Sequence, residues 1–217
     1  MNAQIKIDST TVDNSGLPNK QEIDLDVLLE LGSIGAGHAA TALSEVIQQA
    51  ISIEVPRIIT LPPHLIPKFF NMHDTPTTAV FMELSLSYQC DILLAFEPSE
   101  AKKIAAMMSC VASVEELNPE MEKSAIHELA NILIGAFLTA VSDFLGVILF
   151  PTPPQSAVDT FDAIIDGFLI KQSMTSENAL IFETKFRHSG EDAKCILVIF
   201  PSEELKSALG NRCKRLI

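Results

Sequence analysis

Residues 30–46 return 98 positions later as residues 128–144, with seven of 17 positions identical. Glu30-Leu31 falls on Glu128-Leu129, Ile34 on Ile132, Gly37 on Gly135, Thr41-Ala42 on Thr139-Ala140 and Ser44 on Ser142. The same offset sets Pro56 on Pro154. Further along it drifts to 103, where Leu94 meets Leu197 and Pro98-Ser99-Glu100 meets Pro201-Ser202-Glu203. Two copies of about 100 residues must each fold alike, and a repeat present only twice points to one pseudo-symmetric domain rather than a solenoid. The expected organisation is a polar N-terminal arm at 1–20 and one domain at 21–217, built of repeats at about 23–110 and 118–210.

Local patterns assign the same elements to each copy. Leu25, Leu28, Leu29, Leu31, Ile34, Leu43, Val46 and Ile47 recur at helical spacing, which predicts a helix from about Ile23 to Ala50 with Asp24 as N-cap. Asn118-Pro119-Glu120 combines a cap, a first-turn proline and an early acid, so a second long helix runs to about Phe144. Period-two, β-branched runs predict strands at Ile51–Ile59, Thr78–Ser87, Asp91–Phe96, Leu180–Phe186 and Cys195–Phe200. Two more strands are expected at Phe168–Ser173 and from Val147 into Pro151, with a loop at Pro62, Pro63 and Pro67. Pro98-Ser99-Glu100 and Pro201-Ser202-Glu203 each open a short helix. Hairpin-like neighbours among these strands favour antiparallel pairing, and the two long helices should occupy equivalent places against one sheet. The fold class is therefore α+β.

Charge narrows the partners. The chain has 15 Lys+Arg against 28 Asp+Glu, a formal net charge of −13, which opposes binding to a phosphate backbone, so nucleic acid is not an expected partner. Cys90, Cys110, Cys195 and Cys213 form no C-x-x-C pair and read as reduced thiols of a cytoplasmic protein. The first 20 residues lack an apolar core and a small-residue cleavage site. Leu129–Phe150 is long enough to span a bilayer, but Asn131, Ser142 and Asp143 interrupt it and Gly146 splits it, so a buried helix followed by a strand is expected and no membrane span.

Several familiar chemistries fail on residue identity. His127-Glu128-Leu129-Ala130-Asn131 matches four positions of the H-E-x-x-H zinc helix, but asparagine stands where the second histidine must be. Gly32, Gly35 and Gly37 have the wrong order for a dinucleotide loop and follow a helix, which suits close helix packing. There is no phosphate-loop motif and no nucleophile elbow, and His38, His64, His73 and His188 are dispersed.

Ser124, Glu128 and Asn131 remain. Spacings of four and three place them on one face of a helix whose other residues are nearly all apolar. That face is either a buried polar network or an exposed, rigidly mounted pair in which a carboxylate accepts and a carboxamide both donates and accepts. The duplicate face carries Asp26, Glu30 and Ser33.

These positions, with a proline 23 residues after the last of them, resemble the motif of the CheC, CheX and FliY phosphatases of bacterial and archaeal chemotaxis: Asp or Ser, then Glu, then Asn, then Pro. Ser124, Glu128, Asn131 and Pro154 match it throughout; Asp26, Glu30 and Pro56 match it, with Ser33 where the family has asparagine. The text from Glu30 to Ser44 is also similar to the first helix of CheC, and the resemblance extends over about 23–210. It implies a duplicated domain with a mainly antiparallel sheet and two motif-bearing helices. It further implies hydrolysis of the aspartyl phosphate on a CheY-type response regulator, with Asn131 orienting the attacking water, Glu128 pairing with a lysine of the regulator, and Glu30 as the first repeat's counterpart. No cofactor is then expected on this chain, and Mg2+ would sit on the regulator. The deamidase CheD is a second partner that the resemblance suggests.

Ser33 limits the first half-site, because a hydroxyl is shorter than a carboxamide and has one proton to donate instead of two. The second repeat is therefore expected to carry the activity. A non-catalytic adaptor that binds a response regulator, CheD or a flagellar switch component is the competing reading, and the Glu128–Asn131 pair is what favours catalysis over it.

Overall fold

A computed structural model describes residues 25–84, 88–171 and 178–214. The expected arm at 1–20, the Asp24 cap, Ser85–Ser87 and the end of the Phe168–Ser173 run lie outside the described residues. The elements follow in the order α1 (Leu25–Ile47), β1 (Ile51–Leu61), α2 (Ile66–Phe69), β2 (Pro76–Leu84), β3 (Cys90–Phe96), α3 (Pro98–Met108), then α4 (Pro119–Leu145), β4 (Gln155–Thr160), α5 (Phe161–Lys171), β5 (Ala179–His188), β6 (Glu191–Pro201) and α6 (Glu203–Lys214). The second six repeat the first six in type.

All six strands form one antiparallel sheet in the order β1-β5-β6-β3-β2-β4. Exchanging each strand with its repeat mate reverses this order and reproduces it, so a pseudo-twofold axis runs between β3 and β6, perpendicular to the sheet. The copies interlock: β1 pairs with β5 and β4 with β2, so each copy's first strand completes the other copy's edge. An axis of this kind sets α1 and α4, which share one face of the sheet, antiparallel to each other.

Central strands are buried on both faces, which explains why β3 and β6 read as nearly continuous apolar runs. On one face α1, α3, α4 and α6 pack over Leu94, Phe96, Phe182 and Leu197. On the other, Ile66 and the α5 residues Phe161, Ile164, Ile165 and Phe168 close a smaller core over Leu93, Ile181 and Val198. Helix α4 is, among the described residues, the one long and apolar enough to cross a bilayer, and its apolar side is spent on the larger core.

Three local expectations are corrected. Phe168 belongs to helix α5, because Phe161, Ile164, Ile165 and Phe168 follow helical spacing, and Thr160 Oγ1 accepts from Ala163 N at 3.3 Å to start it. The run from Val147 to Pro151 is irregular: Gly146 ends α4 in the left-handed conformation (φ 70°), Pro151 makes only a single bridge to Leu84, and the strand starts at Gln155. The proline-rich stretch at Pro62–Pro67 winds into a 3-10 turn (Pro63–Leu65) and one turn of α-helix.

Candidate functional site

Helix α4 starts as its sequence dictates. The Asn118 side chain accepts from Met121 N at 2.9 Å, Pro119 fills the first turn, and Glu120 and Glu122 complement the helix dipole. Ala125, Ile126, Leu129, Ala130, Leu133, Ile134, Phe137 and Leu138 are buried. Packing on that side leaves Ser124, Glu128, Asn131 and Thr139 on the solvent side, all exposed, so the buried-network reading of this face is corrected. A carboxylate and a carboxamide one turn apart, on a helix held by its whole opposite side, form a rigid projecting pair that donates and accepts hydrogen bonds.

Helix α1 is built alike. Leu28, Leu31, Gly32, Gly35, Ala36, Ala39 and Leu43 are buried, while Asp26, Glu30, Ser33, Gly37 and Thr41 are exposed. The two helices meet so closely that a Cβ on Gly35 would stand 2.9 Å from Phe137 Cα. A Cβ on Gly32 would meet the Phe182 ring at 3.1 Å. These two glycines therefore serve packing, as the sequence suggested. Gly37 and Gly135 differ, because an added Cβ at either meets nothing within 4 Å. Each is one turn after the motif residue Ser33 or Asn131, and its carbonyl accepts from a threonine hydroxyl, Thr41 at 3.0 Å or Thr139 at 2.9 Å.

The half-sites diverge at the third motif position. Ser33 Oγ donates to Leu29 O at 2.8 Å, so its single proton is committed to its own helix. The motif prolines both belong to the segments of the edge strands but are placed differently: Pro56 lies in the bulge of β1, between Glu54 and Arg57, and Pro154 directly precedes β4. Both positions tolerate a residue without an N–H.

His127 has a role that sequence reading missed. Its Nε2 and Ser156 Oγ of β4 are hydrogen-bonded at 2.8 Å, which ties the turn carrying Glu128 to the sheet edge. Burial, and secondly the charge of Lys123, hold the imidazole below its ordinary pKa. No local pattern links residues 29 positions apart, so only the fold reveals this tie. The outward glycines, by contrast, were visible as the identity of Gly37 and Gly135 within the repeat.

Among the described residues one cluster could gather a metal: His73, Asp74 and Asp162. It lies between α5 and the loop before β2, on the opposite face of the sheet from α4, and His73 Nδ1 is already paired with Asp162 Oδ2 at 3.1 Å. The outward faces of α1 and α4 offer no such set.

A duplicated antiparallel sheet with two motif helices on one face defines a CheC-type domain. The family model described as CheC-like matches residues 23–60 and 121–157, that is, α1 with most of β1 and α4 with the start of β4. The CheY-P phosphatase CheC of Bacillus subtilis (strain 168) is 31% identical over 199 residues, covering 88% of this chain and 95% of that protein. The flagellar motor switch phosphatase FliY of the same organism is 26% identical over 151 residues, and the match spans 39% of its length. Thermotoga maritima FliY has the same fold, with a TM-score of 0.71 at 22% identity over 93% of this chain and 99% of that one. The FliM middle domain from H. pylori shares it at a TM-score of 0.63 and 11% identity, over 89% and 98% of the two chains. The chain belongs to the CheC-like family.

Proposed function

We propose that this protein removes the phosphoryl group from the active-site aspartate of a CheY-type response regulator, and that α4 carries the activity. The observation that bears most weight is the placement of Glu128 and Asn131: exposed, one turn apart, on a helix otherwise committed to the core. The 31% identical relative named CheY-P phosphatase supports the same reading.

Phosphoryl transfer through a loose transition state needs positioning and charge stabilisation more than it needs a strong base. In this reading α4 lies against the regulator's phosphorylation site. The Asn131 carboxamide accepts from a water with its oxygen and donates from its nitrogen, holding that water in line with the phosphorus–oxygen bond to be broken. Water adds to phosphorus, the aspartate carboxylate leaves, and inorganic phosphate is released. Glu128 pairs with a regulator lysine and sets the depth of approach. The divalent cation of such a reaction belongs to the regulator. The reaction would run in the cytoplasm, where such regulators work.

Ser33 gives the α1 half-site a different standing. Its hydroxyl is short and donates inward to Leu29 O at 2.8 Å, so no carboxamide projects there to hold the water. The test is loss of phosphate from a phosphorylated CheY-type regulator with the wild-type protein, Glu128→Ala and Asn131→Ala. Acceleration that Asn131→Ala abolishes, and that Glu128→Ala lowers when the regulator is below saturation, is the expected result. Binding of the regulator without acceleration would assign the chain to the adaptor class instead.

A further inference from the structure

The sheet face turned away from α1 and α4 carries a cavity of about 550 Å3. Its floor is the β5–β6 pair: past Ile181 and Ile196, which belong to the smaller core, the same face continues with Glu183 and Lys185 on β5 and Lys194 on β6. Phe70, Met72 and Ile196 give it an apolar wall, and the start of α3 borders it. Lys185 is half-buried, Lys194 is exposed, and the two stand directly opposite each other in the antiparallel register. Like charges in that relation destabilise a sheet. In the first copy the corresponding place on β2 and β3 holds Glu83 opposite Asp91, so the fold itself does not call for lysines there.

Acids around the cavity are engaged elsewhere. Glu183 is ion-paired with Arg57; Glu100 Oε1 accepts from Lys103 Nζ at 2.7 Å and its Oε2 from the Lys194 backbone N–H at 2.8 Å; Asp192 Oδ1 accepts from Arg187 Nε at 3.1 Å. Glu54, opposite Lys185 on β1, lies 3.9 Å from Arg187, and Glu97 is exposed at the start of α3. Among the described residues neither the Lys185 nor the Lys194 ammonium has an ion-pair partner, in a chain whose net charge is −13.

We infer that this cavity binds a small organic anion, its carboxylate or phosphate group between Lys185 and Lys194 and its apolar part against Phe70, Met72 and Ile196. The volume is in the range of small-molecule sites, and the mixture of an apolar wall with a few convergent charges is their usual lining. An anion set between the two ammonium groups replaces their repulsion with charge-assisted hydrogen bonds. The motif faces of α1 and α4 lie on the other side of the sheet, so this site stands apart from the function proposed above.

The experiment is an NMR titration of the full chain with phenyl phosphate as the amphipathic anion and inorganic phosphate as the bare one. Phenyl phosphate should saturate with a Kd of about 1 mM or tighter, shift the amides of Phe70, Lys185, Lys194 and Ile196, and leave those of Glu128 and Asn131 unmoved. Inorganic phosphate should act on the same amides about tenfold more weakly, because it leaves the apolar wall uncovered. Lys185→Gln and Lys194→Gln, made singly, should each weaken phenyl phosphate at least about tenfold. Without ligand each should melt at or above the wild-type temperature, since the opposing charge is gone, so lost binding is not lost folding. No saturable shift at these amides up to about 10 mM phenyl phosphate, or shifts that persist undiminished in both lysine variants, would overturn the inference. Shifts confined to α4 would assign the anion to the motif helix and overturn it equally. A lysine variant that melts well below wild type would show that the sheet itself needs the pair, and the reading of it as a binding device would fall.

Discussion

Leu94 of β3 lies directly opposite Leu197 of β6, and each is the other's counterpart in the repeat. A residue that pairs with its own copy marks the point where the pseudo-twofold axis crosses the sheet. Both are buried, at 0% and 3% exposure, under the helix layer that contains α1 and α4. Because the axis is perpendicular to the sheet, it turns the amino-terminal halves of α1 and α4 toward opposite ends of one helix pair. The two motif faces thus point outward from the same side of the molecule without merging into a single cleft. The duplication presents two motif faces that differ where Ser33 stands opposite Asn131 in the repeat.

Removing the Asn131 carboxamide should act on the chemical step alone. The residue is exposed, so Asn131→Ala is expected to change stability by less than about 0.5 kcal/mol. Loss of a group that positions the attacking water should lower the single-turnover rate on the order of a hundredfold. Glu128→Ala should instead raise the regulator concentration needed for half-maximal rate. Rapid-quench phosphate release across a range of regulator concentrations separates the two. Equal effects on both parameters from both variants would contradict the division of roles.

The glycines of α1 divide into two kinds that a melting experiment should tell apart. Gly35→Ala drives a methyl group toward the Phe137 backbone at 2.9 Å, which neither helix can relieve by rotating a side chain, so a loss of about 1–3 kcal/mol is expected. Gly37→Ala and Gly135→Ala meet nothing and should each gain up to about 1 kcal/mol from improved helix propensity. Urea titration of the three single variants measures this. A destabilised Gly37→Ala would mean that the fold itself demands glycine there.

Much of this arrangement is legible in the sequence because the chain states it twice. Helices α1 and α4 and their inner and outer faces follow from a seven-in-17 identity superimposed on helical periodicity, whereas the motif as a whole was read from the family resemblance. Strand exchange between the copies was not legible, because alternation within β1 says which face is buried and nothing about whether β5 or β2 lies beside it. Helix α5 was missed because Phe168-Leu169-Ile170 is β-like over three residues, and its helical partners Phe161, Ile164 and Ile165 lie upstream of that window. Turning of the Ser33 hydroxyl toward Leu29 O is a rotamer choice, and residue identity alone does not specify it.

Ser44 and Ser142 offer an internal control on the duplication. Each hydroxyl accepts from the backbone N–H seven residues on, Ile51 N at 3.1 Å and Leu149 N at 3.2 Å, and so fastens the end of its long helix to the segment that follows. Ser44→Ala and Ser142→Ala each leave a half-buried N–H without that partner, at a cost of about 1–2 kcal/mol. The sites lie in different copies, so the double variant should lose close to the sum of the two. Chemical denaturation of the singles and the double checks both the size and the additivity.

His127 and His73 should titrate in opposite directions from an ordinary histidine. His127 is held below the usual value by burial and then by Lys123. A histidine with a depressed folded-state pKa costs nothing above its unfolded value, so its contribution to stability is lost as pH falls from about 6.5 through the folded value. His73 is held above the usual value, first by its hydrogen bond to Asp162 and then by the charges of Asp162 and Asp74. Its contribution is complete below the unfolded value and disappears as pH rises through the folded one. NMR titration of the imidazole protons should therefore place the His127 midpoint below 6.5 and the His73 midpoint above it. Thermal melts should agree: His127→Asn flattens the loss of stability between about pH 7 and pH 5, whereas His73→Asn costs more at pH 6 than at pH 8. Because His127 is bonded to Ser156 at 2.8 Å beside the turn that carries Glu128, the same acid range should loosen the α4 face first. Hydrogen exchange in the first turns of α4 that stayed constant between pH 7 and pH 5.5 would separate His127 from the mounting of that face.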